Sequence, residues 1–251
     1  MQIEKQRYER ERQFHNWVFT AEGRSSVGKF YSVADVSQGY YRERIWARRG
    51  HDVLEMGCGS GSVALFLGRD VSFTAIDISD VAVRATLQEA RAKGIAGSYL
   101  LMNAEETAFA DHSFDLICGQ GILHHLNLKK ACAEIQRILR PHGSAVFIEP
   151  LGHNALINLY RKLTPQIRSI DEHPLLIRDM RDIRSYFAKV EVRYFCLLSL
   201  AAVPLRKWKI FPAVKTTLER VDSSLFRTLP VSGRYAWMMV MTMSNPKAHA
   251  Q

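Results

Sequence analysis

The sequence predicts an α/β fold with a doubly wound, mostly parallel sheet that is covered by helices. The main observation is that short apolar strands alternate with helical segments from Asp52 to Pro150, which is the pattern of parallel sheets. The chain has 251 residues, 47% of them hydrophobic, which is enough for one large domain with a sizeable core. Right-handed crossovers then place helices on both faces of the sheet.

Two helices are predicted before the sheet. Ile3 to Phe19 has a helical pattern, the glycines and serines of TAEGRSSVGKFYS break it, and Val33 to Arg48 resumes it with apolar residues at helical spacing. We expect residues 1–50 to form a helical lid over a site at the sheet edge.

Five strands follow in alternation with helices: DVLEMG, SFTAID, GSYLLMN, FDLICG and SAVFIEP. Ser79 is expected to cap the helix DVAVRATLQEARAK, and Gly94 is expected to end it. Pro141 and Gly143 are expected to make a turn before the fifth strand. Ligands of such sheets bind at the carboxyl ends of the strands, near the point where strand order reverses.

The last hundred residues follow a looser pattern. NALINLYRKL and RDMRDIRSYFAK are predicted helices, and VEVRYFCLL and RYAWMMVMTM are predicted strands. The two strands are too far apart for a tight hairpin. We therefore predict that residues 199–233 form a helical insertion, and that residues 51–198 and 234–245 form the core of one structural domain, with an antiparallel last strand.

Composition indicates a folded protein of a reducing cytoplasm. The longest apolar run, Cys196 to Leu205, is much shorter than the roughly 18 residues of a membrane span. The charged start, MQIEKQRYERERQ, lacks the apolar core of a signal peptide. The cysteines show neither paired zinc spacing nor a dense disulfide pattern: Cys58, Cys118, Cys132 and Cys196.

The net charge of +9 leaves the partner open. An anionic partner such as nucleic acid or a membrane surface would match this charge. The basic residues are spread along the chain, however, whereas nucleic-acid binders usually cluster them. We therefore do not expect nucleic acid, while a membrane surface and the oligomeric state stay open.

A loop with three alternating glycines, VLEMGCGSGSV, follows the first strand. Its spacing fits neither the dinucleotide fingerprint nor the phosphate loop, which needs a lysine. The glycines let the backbone approach a ligand closely, and the Glu55 carboxylate would attract a cation and repel a pyrophosphate. Asp77 ends the second strand, where it can accept hydrogen bonds from a ribose, and Asn103 ends the third, where an adenine could be bound. These features together predict S-adenosylmethionine as the cofactor.

The chain resembles the class I S-adenosylmethionine-dependent methyltransferases in four motifs: VLEMGCGSG, AIDIS, NAEETAFADHSFDLICGQGILHHL and ILRPHGSAVFIEP. The resemblance implies a Rossmann-like, seven-stranded sheet and a methyl-transfer activity. One departure is Asn103, where the family often has Asp; the Asn carbonyl oxygen can still accept a hydrogen bond. The implied cofactor-binding residues are Glu55, Gly57, Cys58, Gly59, Gly61, Asp77, Ile78, Asn103, Ala104, Glu105, Gly119 and Gln120.

The acceptor is less closely defined. The stretch EPLGHNALINLYRKLTPQIRSIDEHPL resembles bacterial methyltransferases of small-molecule and secondary metabolism, which implies a natural-product or lipid-like acceptor. The alternatives are an RNA methyltransferase, a peripheral membrane enzyme that uses Trp208 and its basic neighbours on a quinone or lipid, and a binding protein without turnover.

Histidines are the candidate catalytic residues, because a hydroxyl or ammonium acceptor must lose a proton near neutral pH. His125 is the main candidate, since related N-methyltransferases use a similar histidine as a base or acceptor-orienting group. His124, His153 and His173 are further candidates, with local hydrogen bonding as the alternative for each. The sulfonium is already activated, so no metal is predicted.

Three further features each have two interpretations. Glu149 would orient the acceptor or bond to backbone amides of the next loop. The tyrosines of the N-terminal region would wall the pocket or pack on the sheet: Tyr31, Tyr40 and Tyr41. The apolar residues of the insertion would form an acceptor pocket, face a membrane or pack in the core.

Overall fold

Seven strands form one mixed sheet in the computed structural model, which describes residues 2–20, 30–59, 62–67 and 71–247. The strands are β1 Asp52–Met56, β2 Ser72–Asp77, β3 Ser98–Leu101, β4 Phe114–Gln120, β5 Leu139–Pro150, β6 Phe187–Phe195 and β7 Met238–Pro246. Their order is β3-β2-β1-β4-β5-β7-β6, and β7 is antiparallel to both of its neighbours. The predicted α/β class, the mostly parallel sheet and the antiparallel last strand are confirmed.

Three of the described helices begin at a polar side chain that caps them, namely Ser79, Asn127 and Asn154. The helices are α1 Gln2–Val18, α2 Asp35–Arg48, α3 Ala64–Leu67, α4 Asp80–Ala92, α5 Leu128–Ile138, α6 Ala155–Leu163, α7 Asp179–Tyr186 and α8 Phe211–Thr228. Ser79 Oγ accepts the N–H of Ala82 at the start of α4, and Gly94, with φ of +65°, follows its end. Within the described ranges, none of the helices combines the length and apolar character needed to span a bilayer.

Short 3-10 segments connect several elements: Phe30–Val33, Leu123–His125, Pro165–Ile167, Ser199–Leu205 and Pro230–Tyr235. Two of them lie on either side of α8, between β6 and β7. This stretch contains the residues for which the sequence predicts a helical insertion.

The core lies on both faces of the sheet, because successive strand residues point to opposite sides. In β1, Val53 belongs to the cluster on one face and Leu54 to the cluster on the other. The first cluster includes Tyr41 and Ile45 of α2, and the second includes Ile135 of α5. Helices therefore cover both faces of the central strands, as the doubly wound layout requires.

The start of β5 differs from the prediction. The sequence indicates a turn at Pro141 and Gly143, whereas the structure continues the strand from Leu139 with an irregular register. Phe114 pairs with Leu139, but Leu116 pairs with Ser144, so the intervening residues bulge from the ladder. A proline is tolerated in such a bulge because it has no N–H to donate.

The strand order reverses between β1 and β4, the central pair. In open α/β sheets this reversal opens a crevice at the carboxyl ends of the strands. The residues that the sequence assigns to the cofactor lie near the carboxyl ends of β1, β2, β3 and β4 or in the loops that follow them.

Candidate functional site

A cavity of about 340 Å³ opens at this edge of the sheet. Most of the predicted cofactor-binding residues line it: Glu55, Gly57, Cys58, Gly59, Asp77, Ile78, Asn103, Ala104, Glu105 and Gln120. Gly61 lies outside the described residues. Gly119 is not among the lining residues; a Cβ there would lie 2.7 Å from the Phe147 ring and 2.9 Å from the Met56 carbonyl oxygen. Close packing between strands therefore accounts for Gly119.

The glycine loop has a left-handed backbone at two positions, with φ of +72° at Gly57 and +48° at Gly59. The N–H groups of Gly57 and Cys58 both donate to the carbonyl oxygen of Ile76, at 2.8 and 3.2 Å. The loop thus bends over the end of β2 with no side chain on its tightest residues. A ligand's polar groups can approach the backbone there.

Glu55 stabilises the residues that follow this loop through two hydrogen bonds. Its Oε1 accepts the N–H of Val63 at 3.0 Å, and its Oε2 accepts the Ser62 hydroxyl at 2.5 Å. Burial raises the pKa of Glu55 to about 8. The carboxyl group is therefore mostly protonated at neutral pH, whereas the sequence predicted a negative charge that attracts a cation. Its two hydrogen bonds give Glu55 a role in positioning the loop.

Asp77 and Asn103 also bond to backbone amides. Asp77 Oδ2 accepts the N–H of Gly59 at 3.0 Å, and its Oδ1 accepts that of Ser79 at 2.8 Å. Asn103 Oδ1 accepts the N–H of Glu105 at 3.0 Å. Each of these oxygens has a second lone pair, so these bonds leave acceptor capacity for a ligand.

Helix α1 and Phe19, which follows its end, cover the cavity with side chains that the sequence did not assign to the site: Arg7, Tyr8, Glu11, His15 and Phe19. Arg7 Nη2 donates to both oxygens of Glu105 at 2.6 Å, and Arg10 donates to both oxygens of Asp171 at 2.8 and 2.9 Å. Asn16 Nδ2 donates to Asp80 at 2.8 Å. The helix is therefore held over the site by polar side chains.

Glu11 is the centre of a buried cluster beneath α1. Its Oε2 lies 3.1 Å from His125 Nδ1 and 3.3 Å from His15 Nε2, and the Ser169 hydroxyl donates to its Oε1. Burial tends to raise the pKa of Glu11, but His125, His15 and Ser169 outweigh it and hold the pKa far below its usual range. Burial lowers the pKa of His125 to about 4, so its imidazole is neutral at pH 7. The i, i+4 spacing of Glu11 and His15 places both on one helix face, which was the available sequence signal.

The four candidate histidines lie in different environments. His125 lines the cavity. His124 is buried, with Nδ1 2.7 Å from Glu149 Oε2, and burial lowers its pKa to about 4. His173 is exposed, and its backbone N–H donates to the His124 carbonyl oxygen at 2.9 Å. His153 Nε2 accepts the N–H of Ile177 at 3.3 Å in a different, open cleft.

Glu149 bonds to backbone amides of the next loop, which was the second of the two predicted roles. It is fully buried, and its Oε1 accepts the N–H groups of Ile122 and Leu123, each at 2.9 Å. The carboxylate thereby fixes the loop that carries His124 and His125. It is not among the residues that line the cavity.

The aromatic residues divide between the site and the core. Tyr31 lines the cavity, with its ring 5.7 Å from that of Trp237, whereas Tyr41 is buried in the core. Tyr40 packs on Phe195 at 5.6 Å. In the insertion, Leu200 is buried and Trp208 is 67% exposed.

Comparisons with known proteins agree with this geometry. Residues 54–147 match the family described as a methyltransferase domain. The ubiquinone/menaquinone biosynthesis C-methyltransferase UbiE of Psychromonas ingrahamii is 33% identical over 147 residues, which cover 49% of this chain and 58% of the relative. Methyltransferase GfsG of Streptomyces halstedii is 25% identical over 200 residues, or 78% of this chain and 70% of the relative.

The fold also matches solved structures. A phosphoethanolamine N-methyltransferase of Haemonchus contortus, in complex with phosphomonomethylethanolamine and S-adenosylhomocysteine, has a TM-score of 0.63. Its sequence identity is 16%, and the match covers 94% of this chain and 60% of that chain. The chain thus spans little more than half the length of several proteins that it matches. Residues 54–147 thus match a methyltransferase domain, and the fold is similar to that of a methyltransferase solved with S-adenosylhomocysteine.

Proposed function

We propose that this chain transfers a methyl group from S-adenosylmethionine to a small, fairly apolar acceptor. The observation that carries the proposal is the cavity itself. It brings Glu55, Asp77 and Asn103, from the ends of three neighbouring strands, to one left-handed glycine bend. The matched methyltransferase domain covers the same strands, and one relative is named for ubiquinone and menaquinone biosynthesis.

The residues present fit the proposed donor. Gly57 and Gly59 leave room for its amino-acid end at the backbone, and Asp77 has free lone pairs for two ribose hydroxyls. Asn103 keeps its side-chain amide hydrogens and one lone pair for an adenine edge. The donor supplies an activated methyl group, so the protein's main contribution is to align the acceptor with it.

His125 is the proposed contact with the acceptor. It is the candidate histidine that lines the cavity, and its imidazole, which is neutral at pH 7, can orient the acceptor through a nitrogen atom; a pKa of about 4 makes it a weak base. For His124 and His173 we propose an indirect role, since they fix the neighbouring loops. We propose no contact with the acceptor for His153.

We call helix α1 the cover of the cavity, and we propose that it acts as a lid. A cavity of about 340 Å³ is at the lower end of the range of ligand sites, which run from about 300 to 1,000 Å³. The donor and a second substrate therefore require α1 to move. We propose that α1 is the moving part of the lid that the sequence predicts for residues 1–50, since Tyr41 and Ile45 of α2 belong to the core.

A quinone or lipid acceptor at a membrane surface is a second candidate, favoured by one exposed segment. Trp208 is 67% exposed and Ile210 is 54% exposed, next to the basic residues Arg206, Lys207 and Lys209. Aromatic, apolar and basic side chains in this combination are typical of interfacial segments. Flotation with anionic vesicles should recover the wild-type chain and lose the Trp208→Ser variant; equal recovery of both would reject this candidate.

The test of the main proposal separates donor binding from turnover. Calorimetry should show one S-adenosylhomocysteine site, and labelled S-adenosylmethionine should methylate members of a panel of phenols, hydroxy acids and amines. The His125→Asn variant should keep donor binding and lose at least about 100-fold in turnover. Absence of donor binding in the wild type, or preferential binding of a pyrophosphate nucleotide, would contradict the proposal.

A further inference from the structure

Three side chains with metal-ligating atoms meet at the inner surface of α1. Glu11 and His15 come from the helix, and His125 comes from the 3-10 segment after β4. One ligand atom of each lies within 4.8 Å of the other two. The carboxylate is buried, and the cluster borders the cavity on the side of the proposed acceptor.

The contacts inside this cluster do not have hydrogen-bond geometry. Glu11 Oε2 and His125 Nδ1 are 3.1 Å apart and buried, yet neither forms a hydrogen bond with any described residue. A metal ion bound by both atoms would satisfy them. Ligand atoms bound to one metal ion at about 2.0–2.1 Å lie about 2.9–3.4 Å from each other, and the 3.1 and 3.3 Å contacts of Glu11 fall in that range.

A second set of similar residues lies next to the first and shares His125. It consists of His124, His125 and Glu172. Its other members already have partners, because Glu172 pairs with Arg168 at 2.8 Å and His124 Nδ1 lies 2.7 Å from Glu149. Unpaired buried polar atoms thus distinguish the set that contains Glu11.

We infer that Glu11, His15 and His125 bind a divalent transition-metal ion. Two imidazoles and one carboxylate suit Zn²⁺, Co²⁺, Fe²⁺ or Ni²⁺, whereas Mg²⁺ and Ca²⁺ favour all-oxygen sites. The Ser169 hydroxyl, which donates to Glu11 Oε1, is the outer partner that orients a ligating carboxylate. Three protein ligands leave coordination positions open toward the cavity, as in catalytic metal sites.

The ion's role rests on the proposed methyl transfer, in which the ion held by His125, instead of the imidazole itself, would contact the acceptor. A hydroxyl oxygen of the acceptor takes an open position, and its proton is released to solvent because the ion stabilises the anion. The oxygen–methyl bond then forms as the methyl–sulfur bond breaks, and the sulfur keeps the electron pair and becomes a neutral thioether. The inference therefore specifies a hydroxylated acceptor, such as a phenol or an enol.

Metal binding is tested on the untagged full chain after treatment with a chelator. Titration with Co²⁺ should produce a visible absorption band with one ion per chain, and calorimetry with Zn²⁺ should give the same stoichiometry. Glu11→Gln, His15→Asn and His125→Asn should each weaken binding at least about 100-fold. His51→Asn, which changes a histidine whose side chain is 74% exposed and lies outside the cavity, is the matched control and should bind as the wild type does.

Two outcomes would overturn the inference. One is a wild-type chain that binds neither ion more tightly than Glu11→Gln does. The other is a Glu172→Gln variant that loses the band while Glu11→Gln keeps it, which would assign the ion to the second set. Binding of S-adenosylhomocysteine, measured on every variant, reports folding and the donor site separately. Loss of donor binding in the wild type would contradict the methyltransferase proposal but not the metal site.

Discussion

Different interactions stabilise the two sides of the cavity, which are the proposed donor side at the strand ends and the cover formed by α1. On the donor side, buried carboxyl groups bond to nearby backbone amides: Asp77 accepts the N–H of Gly59, 18 residues away in sequence. On the cover, side chains bond to side chains that are remote in sequence, with Arg7 and Glu105 separated by 98 residues and Arg10 and Asp171 by 161.

This difference predicts different mechanical properties for the two regions. The donor loop is part of the sheet edge, so changing it disturbs both ligand binding and stability. The cover depends on charged pairs, some of them half-exposed, such as that of Arg10, whose side chain is 48% exposed. Exposed pairs contribute little and are screened by salt. The cover is therefore expected to open without unfolding of the sheet.

The largest expected effect is on the donor side, at Asp77. In the Asp77→Asn variant, the side-chain NH2 group replaces one carboxylate oxygen and faces a backbone N–H that now donates to that oxygen. The variant also removes the negative charge that is proposed to accept the ribose hydroxyls. Hydrogen bonds to charged groups contribute about 1.5–3 kcal/mol, so donor binding should weaken about 100-fold in calorimetry. Asp111→Asn, at a carboxylate that is 67% exposed, should bind the donor normally. Equal affinities for the two variants would show that Asp77 does not contact the donor.

Glu55 should make stability depend on pH. Burial raises its pKa from 4.5 to about 8 in the folded chain, so the folded state holds this proton more tightly than the unfolded state. The free energy of unfolding should therefore fall as pH rises from about 4.5 to 8, by up to about 1.4 kcal/mol per pH unit. Urea unfolding at several pH values should show this slope in the wild type and a smaller slope in Glu55→Gln. Glu89→Gln, at a half-exposed residue paired with Lys93, should keep the wild-type slope.

Two glycine substitutions should change stability in opposite directions. Gly57→Ala introduces a Cβ at φ of +72° and 2.8 Å from Ile122 Cδ1, and should lower the free energy of unfolding by about 1–2 kcal/mol. Gly39, inside α2, has open space around it, so Gly39→Ala should raise that free energy by about 0.5–1 kcal/mol. Thermal unfolding measures both changes. A stabilised Gly57→Ala chain would contradict the left-handed loop.

The smallest effects on ligand binding and turnover are expected at the cover, where two ion pairs of α1 can be compared. Arg7→Met leaves the buried Glu105 carboxylate without its guanidinium, and should lower kcat/KM about tenfold through poorer closure of α1. Lys130→Met removes a pair with Glu4 in which both side chains are about half-exposed, and should change kcat/KM less than twofold. Hydrogen exchange of α1 should increase in the first variant only. Similar kinetics and exchange for both would show that the Arg7 pair does not hold the cover.

The position of the proposed donor residues at one cavity was predictable from the sequence, because these residues lie at strand ends or in the loops that follow them. Strand periodicity fixes where Glu55, Asp77 and Asn103 fall, and parallel strands bring their carboxyl ends to one edge. Gly119 differs from the other predicted residues, since close packing against Phe147 is sufficient to explain its missing side chain.

The cover was not predictable in the same detail. A charged helix at the start of the chain indicates a lid, but no local pattern shows that Arg7 reaches Glu105 or that Ser169 reaches Glu11. Such pairs are decided by the tertiary approach of segments that are far apart in sequence. The one local signal was the four-residue spacing of Glu11 and His15, which places them on one helix face.

A helix clamped across the mouth of a small cavity has a consequence for the catalytic cycle. If the proposed methyl transfer takes place in this cavity, we expect the Arg7 and Arg10 pairs to open before spent donor and methylated product leave, so that each turnover includes a movement of α1. Departure of products, rather than chemistry, is then expected to limit the steady-state rate. A pre-steady-state burst of methylated product, followed by a slower linear phase that accelerates with added salt, would be the kinetic signature of this arrangement.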